Sequence, residues 1–180
     1  MEAERARFLA YVPAAGAILD AGCGSGRDAL AMSRAGYAVT AFDGSAEMAR
    51  LASRHAGLPV RHMTFEQMDW DQAFDGVWAC ASLLHLKRAE LPGAFQRILR
   101  ALRPGGVFYA SFKLGHEERG ANGRHFTDLT GPLLSDLISN TGLAPLEVWT
   151  TADERPDHPG EDWVSAMSRR PVAVSLRRQP

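Results

Sequence analysis

The chain is poor in cysteine, in charge of one sign and in long apolar runs. It holds two cysteines, Cys23 and Cys80, in 180 residues. Two thiols make no disulfide framework and fit a reducing compartment, so a cytoplasmic location is expected. The formal net charge is -1 and no basic block stands out. The electrostatic footprint of a duplex-binding protein is therefore missing, and no nucleic-acid partner is expected. No apolar run reaches the roughly 20 residues of a membrane span. The opening MEAERARFLAY lacks a signal-peptide pattern, so no membrane partner is expected either. Cys-x-x-Cys and His-x-x-x-His spacings are absent, which argues against a zinc site.

What is present is an alternation of apolar strands and amphipathic helices. Hydrophobic residues make up 46% of the chain, enough for one domain, 1–180, with a core of its own. A short N-terminal helix over 2–11 stops at Pro13. Strands are predicted over 17–23, 37–43, 60–65, 74–84 and 107–112. Helices are predicted over 26–36, 45–57 and 88–106, the second capped by Ser45 and the third closing in a Pro-Gly-Gly turn. Strands that are apolar on both faces and separated by helices predict a parallel sheet covered on each side. Right-handed crossovers then align the strand C-terminal ends along one edge, where ligands bind.

The stretch ILDAGCGSGRDAL, residues 18–30, places Gly22, Gly24 and Gly26 at the tip of the first strand. Such a turn needs backbone angles that a side chain obstructs, and it lets a ligand lie against the main chain. The following helix start offers free N–H groups. Asp43 ends the next strand about twenty residues on, the usual place for an acid that accepts from ribose hydroxyls. A nucleoside-containing cofactor is expected. The spacing G-x-G-x-G departs from the G-x-G-x-x-G of dinucleotide sites, so an NAD-dependent oxidoreductase is the weaker reading.

The segments ILDAGCGSGRDAL, VTAFDGSAEMARLA, FDGVWACASLLHL and LRALRPGGVFYASF follow one another as in class I S-adenosylmethionine-dependent methyltransferases. The chain resembles that family over about residues 6–150. ACASLLHL, YASFK and GRHFTDLT carry a nearer likeness to small bacterial tellurite-resistance-type and trans-aconitate-type enzymes. The resemblance implies a Rossmann-like three-layer α/β/α sandwich. Its sheet has seven strands, mostly parallel, with strand seven antiparallel and inserted between five and six. Residues 143–153 would be strand six, 160–170 a helix and 171–178 strand seven. The cofactor would be S-adenosylmethionine, leaving as S-adenosylhomocysteine. Gly22, Cys23 and Gly24 would line it, Asp20 would face its ammonium and Asp43 its ribose. Gly44 and Met48 would border the adenine. Thr64, Phe65 and Glu66 stand where the family carries an acid near the adenine amino group, with Asp69 and Asp71 as alternatives. Ala79, Cys80 and Ala81 would run beside the cofactor.

His85 follows strand four on the ligand edge and is the candidate general base, because imidazole accepts a proton near neutral pH. The plainer alternative is a histidine that only lines the pocket. Lys113, Arg119 and Arg124 are candidate substrate contacts. The two arginines lie in a polar loop, 113–129, that also holds His116 and His125. Guanidinium pairs well with carboxylate, so a small, anionic methyl acceptor is one expectation. The chain lacks an Asp/Asn-Pro-Pro-aromatic motif and a Pro-Cys nucleophile, which disfavours nucleic-acid methylation. Trp78 and Trp149 read as core, Trp70 and Trp163 as possible pocket borders. Arg169, Arg170, Arg177 and Arg178 read as a solvated basic face. A non-catalytic S-adenosylmethionine-binding module is the alternative to an enzyme, and a monomer or homodimer is expected.

Overall fold

The computed structural model describes residues 1–121, 123–153 and 161–172. Helix α1 (Glu2–Leu9) precedes β1 (Ala17–Ala21), α2 (Arg27–Arg34), β2 (Ala38–Asp43), α3 (Ala46–Ala56), β3 (Val60–His62) and β4 (Phe74–Ala79). Then come α4 (Leu91–Ala101), β5 (Leu102–Lys113), β6 (Glu118–Ala121), β7 (Arg124–Thr127), α5 (Gly131–Thr141), β8 (Ala144–Thr151) and β9 (Trp163–Arg169). Seven strands form one sheet in the order β3-β2-β1-β4-β5-β9-β8. β1 to β5 pair in parallel, and β9 runs antiparallel to both β5 and β8. This is the expected Rossmann-like fold, with the antiparallel strand inserted as expected.

Burial on both faces explains the near-continuous apolar runs. Leu19, Val77, Phe108 and Ala166 point into the core that α4 and α5 cover with Phe95, Ile98, Leu134 and Ile138. Ile18, Trp78, Tyr109 and Met167 point the other way, against Phe8 of α1 and Met32 of α2. Trp78 stacks on Tyr109 with ring centroids 4.0 Å apart. Helix α1 is part of this core. Its Phe8 is fully buried, with its ring 5.2 Å from Trp78, and Arg7 lies over the Trp149 ring.

Several predicted elements differ. Residues 163–169 form β9, not a helix. Their Ala, Met and Arg content favours helix only weakly, and pairing with β5 on one edge and β8 on the other outweighs it. The predicted seventh strand, 171–178, lies largely outside the described residues, with Arg177 and Arg178. The predicted strands over 60–65 and 74–84 end early, at His62 and Ala79, and short 3₁₀ turns follow at Phe65–Gln67 and Leu83–His85. The Pro-Gly-Gly turn is a bulge within β5, where the register jumps from Phe74↔Leu102 to Gly76↔Val107. Arg170 donates from one guanidinium nitrogen to the Leu99, Arg100 and Leu102 carbonyls, capping the end of α4. Helix α5 was not anticipated in the sequence reading.

Gly76 of β4 is where α1 docks. A Cβ there would lie 2.6 Å from Phe8 Cζ and 3.0 Å from Val12 Cγ2. Gly76→Ala is expected to lower unfolding free energy by about 1–3 kcal/mol through overpacking. Urea denaturation of the two proteins checks it, and an unchanged midpoint would show that α1 yields freely.

Candidate active site

The chain turns left from β1 to β2 and right from β4 to β5, so the sheet parts at the C-terminal tips of β1 and β4. Gly22 and Gly24, φ +75° and +55°, form the turn after β1. A Cβ on Gly22 would lie 2.5 Å from the Ser82 Cβ. Ser82 is thereby free to donate from Oγ to the Ala21 carbonyl at 2.7 Å. Next to it Ala81 holds φ +51°, a conformation L side chains disfavour, and its N–H donates to Ser111 Oγ at 2.9 Å. Asp43 ties the glycine turn from the other side. Its Oδ2 accepts from the Gly24 N–H at 2.8 Å and its Oδ1 from the Ser45 N–H at 2.9 Å. Ser45 caps α3 as predicted, accepting from the Met48 N–H.

Two hollows flank this turn and share Gly22, Gly24 and Ala81 as walls. The larger holds about 540 Å³, between the ends of β2 and β3, the start of α3, the segment after β4 and the β6–β7 hairpin. The smaller holds about 210 Å³ and is walled by charged groups, Asp20, Arg27 and Asp28, with both cysteines.

A family described as "Methyltransferase domain" matches residues 18–106. An S-adenosyl-L-methionine-dependent Diels-Alderase of Talaromyces variabilis is 34% identical over 149 residues, 77% of this chain and 48% of that protein. A ubiquinone biosynthesis O-methyltransferase of Methylocella silvestris is 41% identical over 101 residues, 52% of this chain and 38% of that protein. The chain thus spans half or less of the length of these curated relatives. The crystal structure of the Burkholderia thailandensis 1,6-didemethyltoxoflavin-N1-methyltransferase, with 1,6-didemethyltoxoflavin and S-adenosylhomocysteine bound, superposes with a TM-score of 0.78. It has 27% identity and covers 93% of this chain and 76% of its own.

The chain is similar to the class I S-adenosylmethionine-dependent methyltransferases.

The larger hollow gathers Gly44, Met48, Thr64 and Phe65 around Asp43, with His85 and Arg124 farther along. The smaller gathers Asp20, Cys23 and Cys80. Four sequence candidates lie elsewhere. Glu66 is exposed on the 3₁₀ turn and lines neither hollow, nor do Asp69 and Asp71. The turn exposes Glu66 because Phe65 takes the inward position and Gln67 folds back onto the Thr64 N–H. Ala79 is fully buried under the sheet. Lys113 is buried too. Its Nζ meets Asp153 Oδ2 at 2.8 Å and Glu161 Oε2 at 2.7 Å, 4.2 Å over the Trp163 ring. Arg119 is bound to Asp128 Oδ2 at 3.1 Å, which leaves Arg124 as the arginine on the cavity wall. Trp70 packs against Phe42 and Phe74, so neither it nor Trp163 borders the cavity.

The structure adds wall residues beyond the candidate site residues of the sequence. Loop 113–129 is an antiparallel hairpin, and it brings His125 onto the cavity wall beside His85. His85 Nδ1 lies 2.9 Å from the His125 carbonyl. A carbonyl only accepts, so Nδ1 carries a proton, and in the neutral ring the lone pair then lies on Nε2. Arg27 and Asp28 wall the smaller hollow. Burial pushes the Asp28 carboxyl up, but bonds and charge from Arg27, the Trp78 indole N–H and Arg5 outweigh it and hold it below the usual range. An acid at the first turn of α2 was the available signal. Both thiols are pushed up to about 12, first by burial, then by Asp20 for Cys23 and Asp28 for Cys80. They stay protonated at neutral pH and are poor nucleophiles.

Asp20 is 2% exposed and its Oδ2 has no hydrogen-bond partner among the described residues. Burial, then the Asp28 charge, raises its carboxyl well above the usual range. The folded state therefore binds this proton more tightly than the unfolded chain. Its contribution to stability is full below the unfolded value near 3.9 and is lost as pH rises through the folded value. Asp20→Asn is expected to stabilise the ligand-free protein at pH 7 by about 1–3 kcal/mol. The gain should vanish towards low pH. Urea titrations across that range check it; an unchanged or lower stability at neutral pH would count against a strained carboxylate.

Proposed function

We propose that this chain transfers the methyl group of S-adenosylmethionine to a small acceptor that carries a negative charge and a nucleophile with a proton to lose. The observation that carries the reading is Asp20. A buried carboxylate oxygen without a partner, at the wall of a hollow, fits an incoming cation. The ammonium of the cofactor's methionine portion is such a group. The glycine turn beside it offers room where a Cβ on Gly24 would meet only Met48, at 4.0 Å.

When bound, S-adenosylmethionine supplies a methyl group on a cationic sulfur, which makes that carbon electrophilic and the thioether a good leaving group. The protein's share is positioning, much of what such a transfer needs. Asp20 takes the ammonium, and Gly22 and Gly24 let the main chain approach. Asp43 already spends one lone pair of each oxygen on the loop N–H groups and offers the others to ribose hydroxyls. Met48, Thr64 and Phe65 border the base, with no carboxylate from Glu66 there. His85 accepts the acceptor's proton at Nε2. Arg124 makes no ion pair among the described residues, and it draws the acceptor's anionic group. Residues 1–180 act as one domain in this reading.

Calorimetric titration with S-adenosylmethionine and S-adenosylhomocysteine tests the cofactor half. Asp43→Ala should weaken both by roughly 100-fold, the loss of two hydrogen bonds to a charged group. Absence of binding by the parent protein, or a preference for NAD, overturns the reading. For the chemistry, His85→Ala should leave cofactor affinity nearly unchanged and slow methyl transfer by about 10²–10⁴-fold. Arg124→Ala should raise KM for carboxylate acceptors with little change in kcat. These follow once a panel of hydroxy acids and phenols reveals a turnover. A Diels–Alder reaction transfers no methyl group, and the Diels-Alderase relative keeps a second reading in view: a protein that binds the cofactor without consuming it. Tight binding with no methyl loss across the panel would favour that.

A further inference from the structure

The β6–β7 hairpin stands apart from the main sheet. Its own ladder joins Glu118–Ala121 to Arg124–Thr127, and a single bridge, Leu114↔Leu129, closes its base. A lone two-stranded hairpin is marginally stable in water, so its position depends on what it docks against. It docks against the segment after β4. Thr127 Oγ1 donates to the Leu86 carbonyl at 2.7 Å. The Arg88 backbone N–H donates to Glu118 Oε1 at 2.8 Å. The Arg88 guanidinium reaches further. Its Nη2 donates to the His116 carbonyl at 2.8 Å and to the Asp128 carbonyl at 3.2 Å. His116 precedes β6 and Asp128 follows β7, so one side chain joins both feet of the hairpin.

We infer that Arg88 is a positioning residue that clasps the hairpin and thereby holds the His125 carbonyl on His85, so that the neutral ring carries its proton on Nδ1 and its lone pair on Nε2. The inference rests on reading His85 as the base on the acceptor side. The chain of contacts is continuous. Arg88 fixes the hairpin's feet. Between them and the tip, Phe126 sets its ring edge-on to His85, with centroids 4.9 Å apart. The neighbouring His125 carbonyl accepts from His85 Nδ1. A neutral imidazole in water exchanges its proton between two nitrogens, and only a fixed acceptor selects one. The guanidinium is not spent on a nearby acid. Asp128 gives its Oδ2 to Arg119, and Arg88 Nε is buried with no hydrogen bond among the described residues. The side chain's polar bonds go to the hairpin's main chain, as a clasp requires.

The test uses the full chain with ¹⁵N-labelled histidine, near pH 8, alone and with S-adenosylhomocysteine. In the parent protein His85 should carry its proton on Nδ1. Arg88→Met keeps the stem and removes the donors. It should convert His85 to a mixture of tautomers and raise amide exchange across 118–127 by about tenfold or more. Exchange in β4 and β5 should stay as before, and Arg88→Lys should restore part of the effect. Unchanged tautomer and exchange in Arg88→Met overturn the proposal, as does faster exchange throughout the sheet, which marks a merely structural arginine. If Arg88→Met does not fold, Glu118→Ala, at an exposed acid, should shift the same signals less. Failure to bind S-adenosylhomocysteine would count against the functional reading and leave the tautomer result legible.

Discussion

The site depends on one close approach, between the turn after β1 and the segment after β4. No side chain fits on Gly22 because Ser82 fills that space. The Ser82 hydroxyl reaches the Ala21 carbonyl and satisfies a strand-end acceptor that the sheet leaves open. That bond fixes the direction in which the chain leaves β4. Ala81 takes a left-handed backbone, and the next turn carries His85 out over the larger hollow. Asp43 pulls the same glycine turn from the opposite side. The hollow is therefore held open by hydrogen bonds to backbone groups on both flanks, before any ligand enters.

What was legible in the sequence is what the backbone dictates locally. The strand–glycine–helix turn, the acid at the end of β2 and the Ser45 cap each depend on a few neighbouring residues. Apolar runs for the inner strands follow from burial on both faces. β9 was illegible for the opposite reason. Its sequence, WVSAMSR, shows no alternation that survives burial between β5 and β8, and its pairing with β5 joins Trp163 to Lys113, far back in the chain. Lys113 and Arg119 looked like free cations at the ligand edge. Their acids, Asp153 and Asp128, lie in segments whose nearness only the fold creates. Glu66 failed by one position, because a 3₁₀ turn reverses which side chains face inward.

The charged end of the site obeys a compensation that the sequence also hides. Asp20 and Asp28 lie close enough to repel, and each is largely buried. Only Asp28 is neutralised, by Arg27 from its own helix and by Arg5 from α1. The short N-terminal helix thus has two fixed duties. Phe8 fills the space above Gly76, and Arg5 discharges one of two neighbouring acids. The other acid, Asp20, keeps one buried oxygen without a hydrogen bond among the described residues.

The two ends of the larger hollow are consequently built in different ways. Around Asp43 the walls are strand ends and short turns, where few torsions are free and the shape is set once the sheet forms. Around His85 and Arg124 the wall is a hairpin outside the sheet, held through carbonyl groups by Arg88, Thr127 and His85 itself. Such attachments bury little apolar surface and open at lower free energy than the core. A fixed wall suits a cofactor whose shape never changes. The hairpin wall instead carries the His125 carbonyl, which meets His85 Nδ1 at 2.9 Å.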